Sequence, residues 1–116
     1  MEEMEERIQV TLDFTKCKYL GEIYLEMRTK MEWADWYGEN LDALWDILRG
    51  LPYKGDDFVI RRPYKFTGIP YGHDEAFNKH ADKIIEIFQR AMQVEDITVR
   101  IEYTDDDNAQ NSDYLI

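Results

Sequence analysis

The sequence has one cysteine, Cys17, and no long apolar run. A single cysteine cannot form an intrachain disulfide, which fits a reducing compartment. Residues 1–6 are acidic and lack the apolar core of a signal peptide, and no stretch approaches the roughly 20 apolar residues that a membrane-spanning helix needs. We therefore expect a cytoplasmic protein that does not contact membranes.

Groups that could perform catalysis or bind metal are also scarce. His73 and His80 lie too far apart for the i, i+4 spacing of two metal ligands on one helical turn. No glycine-rich phosphate-binding loop occurs. Lys16 and Lys18 could lower the pKa of the Cys17 thiol between them, but no base lies nearby in the sequence. We expect no metal, no other cofactor and no enzymatic activity.

Positive charge is in the minority, with 14 Lys and Arg residues against 25 Asp and Glu residues and a formal net charge of −11. This balance argues against a nucleic-acid partner and favours a basic protein partner. The 116 residues suit a single domain, spanning 1–116. Residues 104–116 are polar and begin with an acidic run, which predicts a flexible, solvated tail.

Hydrophobic periodicity predicts three strands and three helices. Alternation predicts strands at residues 6–14 and 97–103, and the apolar run 58–60 predicts a well-covered second strand. Helical spacing predicts a first helix from Leu20, a second after Asn40 and a third from Asp74, which is expected to be the N-cap of that helix. Met92 is predicted to lie on the apolar face of the third helix. Residues 61–73 are predicted as a loop. The last three residues of the first helix's apolar stripe are Tyr24, Met27 and Met31.

The alternation of strands and helices favours parallel pairing through right-handed crossovers. We therefore predict an α/β fold with a small three-stranded parallel sheet, helices packed mainly on one face and the other face open to water.

Residues 36–50 combine aromatic, acidic and helix-capping residues. Asn40 suits an N-cap and Gly50 suits the position after the helix, which frames about two and a half turns. Apolar side chains are expected on one face, and the other should carry Asp42, Asp46 and Arg49 with Ala43 beside Asp46. The apolar face should contain Leu41, Leu44, Ile47 and Leu48, with Trp45 at the border and Trp36 and Tyr37 before the cap.

The exposed pair Asp42 and Asp46 has several interpretations. Two carboxylates one turn apart can act as general acid and base in a small hydrolase. Beside aromatic residues they can instead form a protein-binding surface and imitate two phosphates. An aspartate near a helix N-terminus can also simply stabilise the helix.

The unbroken run Tyr-Gly-Glu-Asn-Leu-Asp-Ala-Leu-Trp-Asp at residues 37–46 resembles the signature of barstar and the barstar-like ribonuclease inhibitors. The resemblance implies the α/β fold above and a bacterial, cytoplasmic inhibitor, acting as an immunity protein or antitoxin. Its partner would be a basic ribonuclease bound one to one, with the inhibitor monomeric when free. An unrelated toxin nuclease is the alternative target, and a hydrolase using Asp42 and Asp46 is the less favoured function.

The resemblance also implies roles for individual residues. Asp46 would enter the phosphate-binding part of the nuclease site, Asp42 would contact basic neighbours, and Tyr37 would cover the catalytic histidine of the nuclease. The close-packed contact around them would comprise Trp36, Gly38, Asn40, Leu41, Ala43 and Trp45. Two arginines depart from the pattern of the family. Arg49 follows at the end of the helix, where a small residue would intrude less on a partner. Arg90 stands where barstar has an acidic residue that contacts its target.

Overall fold

The computed structural model describes residues 9–31, 38, 40–49 and 57–104. The elements follow the order β1 (Gln9–Asp13), α1 (Leu20–Met31), α2 (Leu41–Arg49), β2 (Asp57–Arg62), α3 (Asp74–Val94) and β3 (Thr98–Tyr103). A 3-10 turn, Pro70–Gly72, precedes α3.

The strands form a parallel sheet in the order β1-β2-β3. Leu12 on β1 pairs with Ile60 on β2, and Ile60 pairs with Ile101 on β3. β2 is the central strand, and its apolar run from Phe58 to Ile60 is buried, as predicted for a well-covered strand. The predicted three-stranded parallel α/β fold is confirmed.

The core lies between the sheet and the helices. Phe58 on β2 meets Phe88 on α3 edge to face, with ring centroids 5.4 Å apart. A fully buried side chain of this size stabilises the fold by roughly 1.5–3 kcal/mol relative to an exposed one. The predicted apolar stripe of α1 is confirmed, because Ile23, Tyr24, Met27 and Met31 are all buried.

The opposite sheet face carries charges in register. Arg61 in the central strand lies between Asp13 and Glu102, with nitrogen–oxygen distances of 3.2 Å and 3.4 Å. All three side chains are about 40% exposed, at 41%, 42% and 40% respectively. This face is accordingly open to water at these positions, as predicted.

The start of α3 differs from the prediction. His73, rather than Asp74, occupies the N-cap position, and Asp74 is the first helical residue. The Asp74 carboxylate instead accepts a hydrogen bond from the backbone N–H of Ile69, at 2.9 Å, and so holds the preceding turn. Its negative charge still lies at the positive end of the helix dipole.

Two further predictions about burial and boundaries are wrong. Arg61 and Arg62 belong to β2, so the loop begins at Pro63. Met92, predicted on the apolar face of α3, is 38% exposed, since the stripe that contacts the core near this end passes through Phe88 and Ala91. Predictions for residues 6–8, for Gly50 and for residues 105–116 of the tail lie outside the described residues.

Arg62 is a buried cation that the sequence did not reveal. Its side chain is 4% exposed. The guanidinium donates to the carbonyl oxygens of Pro63 and Tyr64, at 2.9 Å and 3.0 Å, and to the Asp82 carboxylate of α3, at 3.0 Å. This arginine therefore joins the end of β2 to α3.

We expect Arg62→Leu to lower the free energy of unfolding by roughly 1–3 kcal/mol, because two carbonyl groups lose their donor. Arg61→Leu is the matched control, since an exposed ion pair contributes only about 0–1 kcal/mol. Urea denaturation of both variants measures the difference. Equal losses in the two variants would contradict the structural role of Arg62.

A candidate protein-binding surface on helix α2

The beginning of α2 is fixed by Asn40 and Gly38. The Asn40 side-chain oxygen accepts the backbone N–H of Ala43 at 2.8 Å, and its carbonyl oxygen accepts that of Leu44 at 3.1 Å. The predicted N-cap is confirmed. Gly38 has a φ of +88°, a backbone conformation that is strained for residues with a side chain. The chain can thus turn into the helix at this point.

The two faces of α2 differ sharply in exposure. Leu44, Ile47 and Leu48 are buried, and Leu41 is half-buried against the same core. On the far side, Asp42 and Asp46 are exposed. Neither carboxylate has an ion-pair or hydrogen-bond partner among the residues that the structure describes. Within the described part of the chain, two unpaired negative charges therefore face the solvent one helical turn apart.

Ala43 does not lie on that exposed face. It is 4% exposed and belongs to the core. On the helix its direction lies closer to Ile47 than to Asp46, and its small side chain lets neighbouring groups cover it. The predicted placement of Ala43 beside Asp46 on the exposed face is therefore wrong.

Trp45 lies at the border between the two faces and packs partly against the core. Two guanidinium groups lie over its ring. The Arg49 group is 5.3 Å from the ring centroid, and the Arg90 group, which comes from α3, is 5.0 Å away. The surface around the acidic pair consequently has a positive edge.

The structure brings together only part of the predicted site. Gly38, Asn40, Leu41, Trp45 and the two aspartates lie on or beside the start and outer face of α2. Trp36 and Tyr37 lie outside the described residues. The contact of Arg90 with Trp45 was not predicted, because the sequence of α3 does not indicate which of its exposed residues faces α2.

The two aspartates of α2 lie apart from the cavity that could hold a small substrate. A cavity of about 380 Å³ lies between the start of α1 and the turn before α3, lined among others by Lys18, Ile69 and His73. Asp42 and Asp46 are not part of it. A general acid and base need a site that holds substrate against them. This cavity therefore offers Asp42 and Asp46 no such site.

His80 and Cys17 make contacts within the fold. The hydroxyl of Tyr24 and the Nε2 of His80 are hydrogen-bonded at 2.8 Å, and burial, followed by the charge of Lys83, lowers the pKa of His80. Cys17 is 8% exposed. Burial, followed by the nearby carboxylates of α1 and β1, raises the pKa of its thiol to about 12.

The lysines on either side of Cys17, which could have lowered its pKa, thus do not do so. Lys18 turns away and donates to the carbonyl oxygen of Thr67 at 2.8 Å. Among the described residues, no group of three or more His, Cys, Asp or Glu side chains could hold a metal ion. None of the helices in the same ranges has the length and apolar character to cross a bilayer.

The family model for barstar, described as a barnase inhibitor, matches residues 8–104. The chain belongs to the barstar family. It is similar to the "Putative ribonuclease inhibitor YrdF" of Bacillus subtilis strain 168, with 26% identity over 88 residues. That match covers 73% of this chain and 86% of the relative. Members of the family are inhibitors, so the chain is not an enzyme, as expected from its sequence.

We expect Cys17 to resist alkylation in the folded protein, because a thiol with a pKa of about 12 forms almost no thiolate at pH 8. Iodoacetamide should label it only after denaturation, as measured by intact mass. Rapid labelling of the folded protein at a rate typical of a free thiol would contradict both the burial and the raised pKa.

Proposed function

We propose that this chain inhibits a basic ribonuclease by placing the exposed face of α2 in the nuclease active site. The observation that supports this best is the pair Asp42 and Asp46, exposed on an anchored helix without compensating charges in the described structure. Membership of the barstar family supports the same target class.

The proposed mechanism is imitation of the charge of RNA. A ribonuclease binds its polyanionic substrate through a cleft of basic residues, so carboxylates that enter the cleft occupy the phosphate sites. The inhibitor offers no phosphodiester bond, and hence the cleft is blocked without reaction. Because Leu44 and Leu48 are fully buried, α2 is already held in its binding geometry, and little order has to be gained on association.

We assign distinct roles to the residues of this surface. Asp46 enters the phosphate-binding part of the site and Asp42 contacts its basic neighbours. Tyr37 covers the catalytic histidine of the nuclease. The contact is completed by Trp36, Gly38, Asn40, Leu41 and Trp45, and Ala43 contributes only through its backbone because its side chain is buried.

In this proposal the complex is one to one, and the inhibitor acts in the cytoplasm as an immunity protein or antitoxin. The wider charge balance assists it. A net charge of −11 attracts a basic partner over distances beyond direct contact and speeds association.

We expect Asp46→Ala to weaken binding to the cognate nuclease by roughly 2–5 kcal/mol, since the cations that surrounded the carboxylate would stay buried without a counter-charge. The melting temperature should barely change, because Asp46 is exposed and makes no core contact. Asp106→Ala, the same change outside α2, is the control. Calorimetric titration together with thermal melts tests both variants. Parent-like affinity in Asp46→Ala would refute the proposed surface.

We expect the association rate to fall steeply with salt, because charges more than about 8 Å apart are largely screened at physiological ionic strength. The dissociation rate should change less, since contacts within the interface are screened less. Stopped-flow mixing of inhibitor and nuclease at low and high sodium chloride measures the two rates. An association rate indifferent to salt would exclude electrostatic attraction as part of the mechanism.

A further inference from the structure

Trp45 connects the acidic face of α2 to an arginine of another helix. Its neighbour Arg49 has a carboxylate partner within the chain, since its Nε lies 3.4 Å from Oε2 of Glu95, whose side chain is 11% exposed. Arg90 is different. In the ranges that the structure describes, no carboxylate lies within ion-pair distance of its guanidinium, which lies over the Trp45 ring, 5.0 Å from the ring centroid.

We propose that Arg90 is a specificity-determining residue that binds an acidic side chain of the target nuclease, at the rim of the basic cleft that receives Asp46. This inference rests on the proposed function and adds one requirement for the target, an acidic side chain beside its basic cleft. A suitable target therefore carries a carboxylate at this rim position, whereas a nuclease with a uniformly basic rim is rejected.

The position of Arg90 follows from its contact with Trp45. Trp45 precedes Asp46 directly in α2 and lies three residues after Asp42. A partner that covers the acidic pair and reaches the border of the helix therefore meets the exposed guanidinium held over the ring. Arg90 belongs to α3, which packs against α2, so its place relative to the pair is fixed by the fold.

The chemistry of a guanidinium over an aromatic ring favours a carboxylate ligand. The ring face attracts the positive charge, while N–H donors of the guanidinium stay available to the two oxygens of a carboxylate. Holding the side chain over the ring also reduces the rotamer freedom that binding would otherwise remove. Phosphate groups of a nucleic acid are a poorer match, because a polyanion is repelled by the net charge of −11, whereas a basic nuclease that carries a single carboxylate at this position is attracted by it.

The rejection of other nucleases has the same origin. A cation pressed against a basic rim is a repulsive contact, and such like-charge contacts can outweigh the attraction of nearby pairs. The proposal thus predicts that the parent chain inhibits barnase, the target named for the family, only weakly when the barnase rim facing Arg90 is basic.

The test uses barnase as the probe and charge reversal at Arg90. We expect Arg90→Glu to lower the inhibition constant for barnase at least about tenfold, equivalent to removing roughly 1.4 kcal/mol of unfavourable interaction. Lys79→Glu is the control, with the same change in net charge on the same helix, about 16 Å away along its axis. It should change inhibition less than about threefold, an allowance for screened long-range attraction. Thermal melts of both variants establish that they are folded.

A reciprocal arm tests the carboxylate directly. Barnase variants with a single glutamate at each position around the mouth of the cleft are titrated with the parent chain and with Arg90→Glu. One such glutamate should strengthen inhibition by the parent and weaken inhibition by Arg90→Glu. That reversal of preference would identify the position facing Arg90.

The inference is overturned if no glutamate around the barnase cleft reverses the preference, since that reversal is expected whatever the charge of the native barnase rim. Failure of the proposed function is distinguished by Asp46→Ala in the Arg90→Glu background. If this change removes inhibition while the Arg90 results are negative, the acidic face inhibits and only the role of Arg90 fails. If inhibition persists without Asp46, the proposed binding surface fails as well.

Discussion

The position of the exposed acidic face of α2 depends on the packing of this helix against the core. A helix of nine residues, Leu41–Arg49, is too short to be stable by itself in water, where isolated helices shorter than about 12–15 residues are marginal. Burial of Leu44, Ile47 and Leu48 supplies the stability that helix propensity does not. The exposed carboxylates therefore have a fixed position only because the opposite side of the same helix belongs to the core.

Local charges on α2 are arranged at some cost to the fold. Like charges at i and i+4, such as Asp42 and Asp46, destabilise a helix by roughly 0.2–0.5 kcal/mol. Asp42 in the first turn recovers part of this through the helix dipole, and the Asn40 cap satisfies one backbone N–H. A surface selected only for stability would pair one of the aspartates with a cation. Among the described residues neither is paired, and the nearby Arg49 pairs with Glu95 instead. This arrangement is understandable if the cations that pair with the aspartates belong to a partner.

The sequence predicted what depends on local periodicity and missed what depends on distant neighbours. The strands and helices and the Asn40 cap follow from patterns within a few residues. The charge of the buried Arg62 is paired with Asp82, which lies twenty positions away, and this partner could not be read from β2 itself. Likewise, the raised pKa of Cys17 reflects burial and carboxylates that the fold brings near it, while the adjacent lysine turns elsewhere.

The distinction between local patterns and distant neighbours also applies to the proposed binding surface and its choice of target. The run at residues 37–46 lies around one short helix, so family resemblance can identify the acidic face from sequence alone. The cation over Trp45 comes from α3, and only the packing of α3 on α2 places Arg90 beside that face. A change in charge on α3 can therefore alter the electrostatic match to a nuclease while α2 keeps its cap, its buried stripe and its carboxylates. Selectivity can diverge in this way without disturbing the element that we propose blocks the active site.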